Sequence, residues 1–171
     1  PFSRFMELAL YAPGLGYYSA GARKLGSEGD FVTAPEISPL FGRTLAHQVA
    51  EIMIQSTAHI MELGAGSGKL AVDVLLELER MSTLPERYDI LEISADLRAR
   101  QQALLQSRAP HLANRVHWLE SLPGNFSGAL IANEVLDALP VHLIQWRGAN
   151  ITERGVASRE GKFVWHERPP Q

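Results

Sequence analysis

Residues 60–70 read IMELGAGSGKL. A short apolar run ends at a carboxylate, Glu62, and glycine then stands at every second position, 64, 66 and 68. An amphipathic helical run follows, from Leu70 to about Arg80. A strand, a turn with no side chains at alternate positions and then a helix make a chain segment whose backbone a ligand can touch. The free N–H groups at such a helix start also attract negative ligand charge, by roughly 0.3–1 kcal/mol.

Three ligand-binding patterns compete for this turn. A phosphate-cradling P-loop needs glycine, four residues, then Gly-Lys-Ser/Thr. Leu63 stands where its first glycine belongs and Leu70 where the magnesium-binding hydroxyl belongs, so that pattern fails twice. A dinucleotide fingerprint needs G-x-G-x-x-G, and here the third glycine comes one residue early. That weighs against a nucleotide-dependent oxidoreductase. The third pattern is the first motif of class I S-adenosylmethionine (SAM) methyltransferases, an acidic residue followed by x-G-x-G-x-G. Glu62, Gly64, Gly66 and Gly68 match it in full, with Ala65 inside the same turn. SAM carries no phosphate, but its methionine carboxylate suits a helix start. The competing structural interpretation is a glycine turn with no ligand.

Composition sets limits. The chain has 171 residues, 46% hydrophobic and 20% charged, with net charge -3. That is enough for a domain with a real core. No clustered basic footprint points to nucleic acid. Cysteine is absent, which removes disulfides, thiolate metal sites and cysteine nucleophiles. The histidines at 47, 59, 111, 117, 142 and 166 have no metal-ligand spacing, so no metal site is expected. No apolar run approaches the roughly 20 residues of a membrane span.

Periodicity predicts a helix over 2–11, stopped by Ala12, Pro13 and Gly14, then a glycine-rich loop over 14–36. Ser38 and Pro39 open a second helix as N-cap and first helical residue. Leu40, Phe41, Leu45, Val49, Ile52 and Met53 give it an apolar face. Strands are expected at 58–63, 88–93, 115–119 and 129–132, with helices at 69–81 and 95–107 between them. A short helical turn over 134–139 and a fifth strand over 141–146 complete the alternation. Nearly continuous apolar strands in this order imply an α/β fold, a parallel sheet with helices on both faces; taken with the glycine motif, a Rossmann-like class I methyltransferase sheet is expected. Two β-prone runs, 151–156 and 162–166, suggest a closing hairpin. Such a sheet ordinarily continues past its fifth strand, so the fold is expected to be truncated there and the chain to be part of a longer protein. The sequence divides into an N-terminal helix and glycine-rich loop capping the pocket (1–37), a SAM-binding domain (38–147) and the start of a C-terminal part (148–171).

Ligands of open parallel sheets bind outside the strands' carboxyl ends, where strand order reverses. The glycine turn, Glu92, Glu120 and Asn133–Glu134 all fall at such ends and are expected to converge. Two carboxylate oxygens on Glu92 suit the two ribose hydroxyls of adenosine; a solvated strand-end charge is the alternative. Glu120 or the Ser121 hydroxyl can meet an adenine edge and Leu122 can cover its face, or this can be an ordinary polar loop. Asn133, Glu134 and Asp137 stand at the cleft's mouth. Carboxylates at Glu134 and Asp137, three residues apart in a helical turn, can fix the plane of a guanidinium acceptor. They are the candidate catalytic pair, against the alternative of a helix-start charge and a solvated carboxylate. Tyr11, Tyr17 and Tyr18 are either core or part of a substrate wall.

Residues 4–18, RFMELALYAPGLGYY, and 29–42, GDFVTAPEISPLFG, resemble the opening blocks of the MidA family. Residues 62–68, 90–98 and 133–141, with Trp146, Glu153 and Arg154, resemble its later motifs. This family includes the mitochondrial complex I assembly-factor protein arginine methyltransferase and its bacterial relatives. The resemblance implies a SAM cofactor held by Glu62, Gly64, Gly66, Gly68 and Glu92. It also implies that residues 30–38 lie near the pocket, with Thr33, Pro35 and Glu36 in reach. The implied partner is a protein substrate, with a complex I subunit as the mitochondrial member's case. The implied compartment is the cytoplasm if the chain is bacterial and the mitochondrial matrix if it is eukaryotic. Two other outcomes stay open, a non-catalytic SAM-binding assembly factor and a methyltransferase with a different acceptor. Oligomeric state is not legible.

Overall fold

A computed structural model describes residues 1–19 and 32–170. Two compact units emerge, Ala22–Val135 in one and Pro1–Gly21 with Leu136–Gln171 in the other. They divide the chain differently from the three segments expected above.

The unit Ala22–Val135 holds helices α2 (Ala34–Ile37), α3 (Pro39–Gln55), α4 (Lys69–Arg80) and α5 (Ala95–Arg108), and strands β1 (His59–Leu63), β2 (Arg87–Leu91), β3 (Val116–Leu119) and β4 (Ala129–Ala132). All strand pairs are parallel, in the order β3-β2-β1-β4. The order reverses between β1 and β4, which puts the topological switch point at the end of β1. Ser38 caps α3 by accepting the Leu40 N–H at 3.1 Å, with Pro39 at the first helical position. Ser94 caps α5 in the same way through the Leu97 N–H. Residues 20–31 lie outside the described residues, so most of the glycine-rich loop expected over 14–36 is not covered; its end forms α2.

Register sorts the strand residues into two faces. Ile60, Tyr88, Val116 and Ala129 align, as do Glu62, Ile90, Trp118 and Ile131 one pleat further on. The apolar members of these rows form one core with Val49, Leu70, Val74, Leu75 and Leu78 from α3 and α4, and Leu105 from α5. On the opposite face Met61 and Asp89 of the two central strands are buried, while Leu130 is 55% exposed and His117 is exposed at the edges. On the helix side α3 packs on α4 and α4 on α5.

Three expectations need correction. The buried face of α3 is Gly42, Ala46, Val49, Ala50 and Met53; Leu40, Phe41 and Ile52 are exposed. The small residues are inside because α4 crosses close to α3 there. A Cβ on Gly42 would stand 2.7 Å from the Asp73 Cβ. Size, not hydrophobicity, chose the contact stripe. Second, the fifth strand, β5 (Leu143–Arg147), does not pair with the parallel sheet. It is antiparallel to β6 (Asn150–Arg159), which pairs with β7 (Lys162–Arg168). The two-residue link Gly148–Ala149 is too short for a parallel crossover and allows only a hairpin. Third, the helical turn expected over 134–139 shrinks to a 3₁₀ turn, Leu136–Ala138.

The second unit is this three-stranded sheet with α1 (Phe2–Tyr11) against it. Phe5 meets Phe163 edge-on at 5.3 Å, and Phe2 lies 5.9 Å from Trp165. The β6–β7 hairpin turns on Glu160 and Gly161, both with positive φ, as a tight two-residue turn requires. Glu153 is buried and bridges three strand regions. It accepts from Arg168 at 2.9 and 3.1 Å and meets His142 Nδ1 at 2.6 Å. Together they hold its carboxyl below the usual range. Tyr11 donates to the Ala138 carbonyl at 2.7 Å and stacks on Tyr18.

The α3–α4 crossing is directly testable. Gly42→Ala improves helix propensity but drives a methyl into Asp73 Cβ, so overpacking of about 1–3 kcal/mol wins. Urea unfolding is expected to show lower stability; an unchanged or raised midpoint would refute the close crossing.

Candidate functional site

The turn after β1 is built from left-handed backbone. Gly64, Gly66 and Gly68 have φ of 63°, 55° and 83°. Side-chain-bearing residues rarely adopt that region, which explains the alternation in the sequence. The Gly64 N–H donates to the Leu91 carbonyl at 2.9 Å and ties the turn to the end of β2. The Gly68 N–H donates to the Ala65 carbonyl at 2.8 Å and closes the turn on itself. Gly68 then N-caps α4. The three glycines differ in surroundings: Gly64 is exposed, Gly66 is half-buried and Gly68 is buried, and Ala65 is buried between the first two.

Glu62 sits below the turn and is only 2% exposed. Its Oε2 accepts the Tyr88 hydroxyl at 2.8 Å. Burial pushes its carboxyl up to about 7; the Tyr88 bond opposes this and the Glu92 charge adds to it. Burial and the adjoining Glu62 raise Tyr88 well above its ordinary value. Glu92, one residue past β2, is half-buried and more open than Glu62. Its Oε1 accepts the Ser94 N–H at 2.9 Å and its Oε2 accepts from Gln101 Nε2 at 3.0 Å. Burial raises this carboxyl too, against those hydrogen bonds.

Gln101 was not legible as a site residue. It is 2% exposed on α5, with Nε2 also donating to the Gly66 carbonyl at 3.0 Å and Oε1 accepting from Trp118 Nε1 at 2.8 Å. One signal was available: Leu97, Gln101 and Leu105 share a face at helical spacing, and an amide inside an apolar stripe needs partners. A second cluster joins α2 to the glycine turn. The Ser67 hydroxyl donates to Glu36, and Lys69 Nζ donates to the Pro35 carbonyl and lies 3.5 Å from Asp73. Pro35 and Glu36 thus stand against the glycine turn, as expected; residues 30 and 31 lie outside the described residues.

The remaining candidates are more dispersed. Glu120 pairs with Arg98 at 2.7 Å, while Ser121 and Leu122 are exposed beyond β3, Leu122 by 58%. Asn133 is half-buried just after β4. Glu134 follows it, exposed, with φ of 52°, a left-handed conformation unusual for a glutamate. Glu134 therefore lies outside any helical turn, and the helical spacing expected to pair it with Asp137 does not hold. Asp137 is exposed in the 3₁₀ turn of the other unit. Among the described residues no group of His, Asp or Glu is arranged to hold a metal.

Glu62 generates a pH test. Its folded value, about 7, lies above the ordinary 4.5. Between those values the unfolded chain releases this proton and the folded chain keeps it. Stability therefore falls as pH rises through that window and levels off above it, by at most ~1.4 kcal/mol per unit of pKa difference. Glu62→Gln is expected to flatten that fall in urea unfolding at pH 5 and pH 7.5. Equal pH dependence in both proteins would contradict the buried, protonated carboxyl.

Known proteins with a similar sequence are methyltransferases. Residues 41–171 match the family described as "Putative S-adenosyl-L-methionine-dependent methyltransferase". A crystal structure from Burkholderia thailandensis, bound to S-adenosyl-homocysteine, is 48% identical with a TM-score of 0.89. The match covers 99% of this chain and 45% of that one. "Protein arginine methyltransferase NDUFAF7, mitochondrial" of Homo sapiens is 32% identical, over 95% of this chain and 44% of its own length. The Drosophila melanogaster homolog is 33% identical, over 85% of this chain and 38% of its own length. The chain thus spans less than half the length of these relatives. With its glycine turn, strand-end acids and matching fold, the chain belongs to the MidA family of class I SAM-dependent methyltransferases.

Proposed function

We propose that this chain is the cofactor-binding part of a SAM-dependent methyltransferase that acts on a protein arginine. The observation that carries the proposal is the left-handed glycine turn at the sheet's switch point, beside a carboxylate with a fixed plane. The residues fit the cofactor. Gly64 and Gly66 have no side chains to cover the turn, the α4 start is a favourable place for a carboxylate, and Glu92 presents an oriented carboxylate to a diol. The 48% identity to a chain with S-adenosyl-homocysteine bound supports the same assignment.

Bound SAM supplies an electrophilic methyl on a sulfonium. This chain's residues hold the adenosine and place the acceptor. Glu92 accepts the ribose hydroxyls; Ser121 and Leu122 meet the adenine edge and face; Ala65 and Asn133 flank the cleft. Glu62, anionic above about pH 7, favours the cofactor's positive charge from beneath the turn. Glu134 faces the acceptor. Its carboxylate orients a guanidinium and takes the proton that the nitrogen loses as the new C–N bond forms and the C–S bond breaks. Its left-handed backbone is a local strain of the kind functional loops retain. Holding the nucleophile about 3–3.5 Å from the methyl supplies roughly 7–11 kcal/mol of the barrier reduction. In a eukaryotic host the expected compartment is the mitochondrial matrix and the substrate a complex I subunit; in a bacterium the expected compartment is the cytoplasm. No described helix is long and apolar enough to cross a membrane.

Calorimetric titration of SAM and NAD into the protein tests the cofactor: SAM is expected to bind and NAD not to. Gly66→Val, checked for folding by circular dichroism, is expected to abolish SAM binding, and normal affinity in that variant would refute the pocket. Incubating the full polypeptide with methyl-labelled SAM and lysate tests the reaction by mass spectrometry. Labelled arginine is expected, with Glu134→Ala lowering the rate about 10²–10⁴-fold at unchanged SAM affinity. SAM binding without any labelled protein would favour a non-catalytic assembly factor.

A further inference from the structure

Three carboxyl-end segments of the parallel sheet meet at one side-chain amide. Gln101 Nε2 donates to the Gly66 carbonyl in the turn after β1 and to Glu92 Oε2 just after β2. Its Oε1 accepts the indole N–H of Trp118 on β3. We propose that Gln101 is the positioning residue of the ribose site: it holds the Glu92 carboxylate and the Gly66 peptide in the one arrangement that receives the adenosine diol. This rests on the assignment of Glu92 and the glycine turn to SAM.

The amide's orientation is forced. Turned over, its oxygen would face two acceptors and its NH₂ group would face the indole donor. Two donors at one end and an acceptor at the other is the pattern that a primary amide offers and a carboxylate does not. Glutamate at this position would set a second negative charge against Glu92, so the isosteric exchange is not conservative. The approach is possible because Gly68 has no side chain. A Cβ there would stand 3.1 Å from both Cα and Cγ of Gln101, and Gly68 is in the left-handed region besides. The third glycine thus admits α5 to the turn.

The consequence falls on Glu92. Donors of different origin hold its two oxygens, the Ser94 N–H on Oε1 and Gln101 on Oε2, so the carboxylate cannot rotate. The Ile93 and Gly66 backbone N–H groups favour the same anion, so the carboxylate sits in a ring of donors at the end of β2. Without Gln101 one anchor is lost and the half-buried anion loses a donor that works against its burial. A merely structural amide would affect folding stability and leave the preference for a ribose hydroxyl intact. A positioning amide couples to that hydroxyl.

The test is calorimetric titration of S-adenosylhomocysteine and its 2′-deoxy analogue into the wild-type protein, Gln101→Met, Gln101→Glu and Trp118→Phe, each checked by thermal melting. The wild type is expected to prefer the ribose form by about tenfold or more, the scale of a hydrogen bond to a charged group. Gln101→Met is expected to bind S-adenosylhomocysteine about tenfold more weakly and to discriminate less than about threefold. Gln101→Glu should bind more weakly still. Trp118→Phe removes only the donor behind the amide and should show a smaller loss of discrimination. It is the deciding variant if the exchanges at 101 fail to fold. Full ribose discrimination in the folded variants would overturn the assignment while leaving SAM binding intact. A wild type that binds neither ligand would overturn the cofactor assignment, and this one with it.

Discussion

The turn between β1 and α4 enters the left-handed region at Gly64, Gly66 and Gly68, three times in five residues. Each entry costs a residue with a Cβ roughly 1–2 kcal/mol, so no other residue type serves well at all three places. Much of the surrounding structure follows from that turn. It lets α4 start directly beyond the end of β1, and its first N–H ties it to the end of β2. Its last glycine clears the space that Gln101 fills. Glu62 is enclosed beneath it, while Glu92 is anchored beside it.

Charge near the turn is arranged by depth. Glu62 is sealed in with one hydroxyl partner, and burial is the main reason its carboxyl moves up to about 7. Glu92 is half-buried, shares the upward push and has more donors. The closed acid suits a through-space role toward a cationic cofactor, and the open one suits direct hydrogen bonding. Away from the turn, Glu153 shows the opposite case. A histidine and an arginine partner it, and its carboxyl moves down.

Much of the unit around the parallel sheet was legible in the sequence. The apolar runs of the four parallel strands, the Ser38 cap, the closing hairpin and the glycine motif each depend on a few neighbouring residues. The misreadings share a cause. Apolarity alone places Leu40, Phe41 and Ile52 on the buried stripe of α3, yet the stripe is chosen by how closely α4 approaches, which favours Gly42 and Ala46. The run 141–146 has the composition of a parallel strand, yet it pairs antiparallel with β6 in a separate sheet. The candidate site was legible where it consists of backbone conformation and strand-end acids. It was not legible at Gln101 or Tyr88, which matter through partners 35 and 26 residues away.

By itself the sequence determined the local backbone: where φ must be positive, where helices start and where a hairpin turns. Those conformations are set by each residue's own sterics and by hydrogen bonds to near neighbours. Only the tertiary structure decided which carboxylate is closed and which open, which amide joins three strand ends, and which sheet β5 enters. Burial and hydrogen-bond partnership are properties of pairs distant in the chain, and they acquire a value only once packing has chosen the pairs.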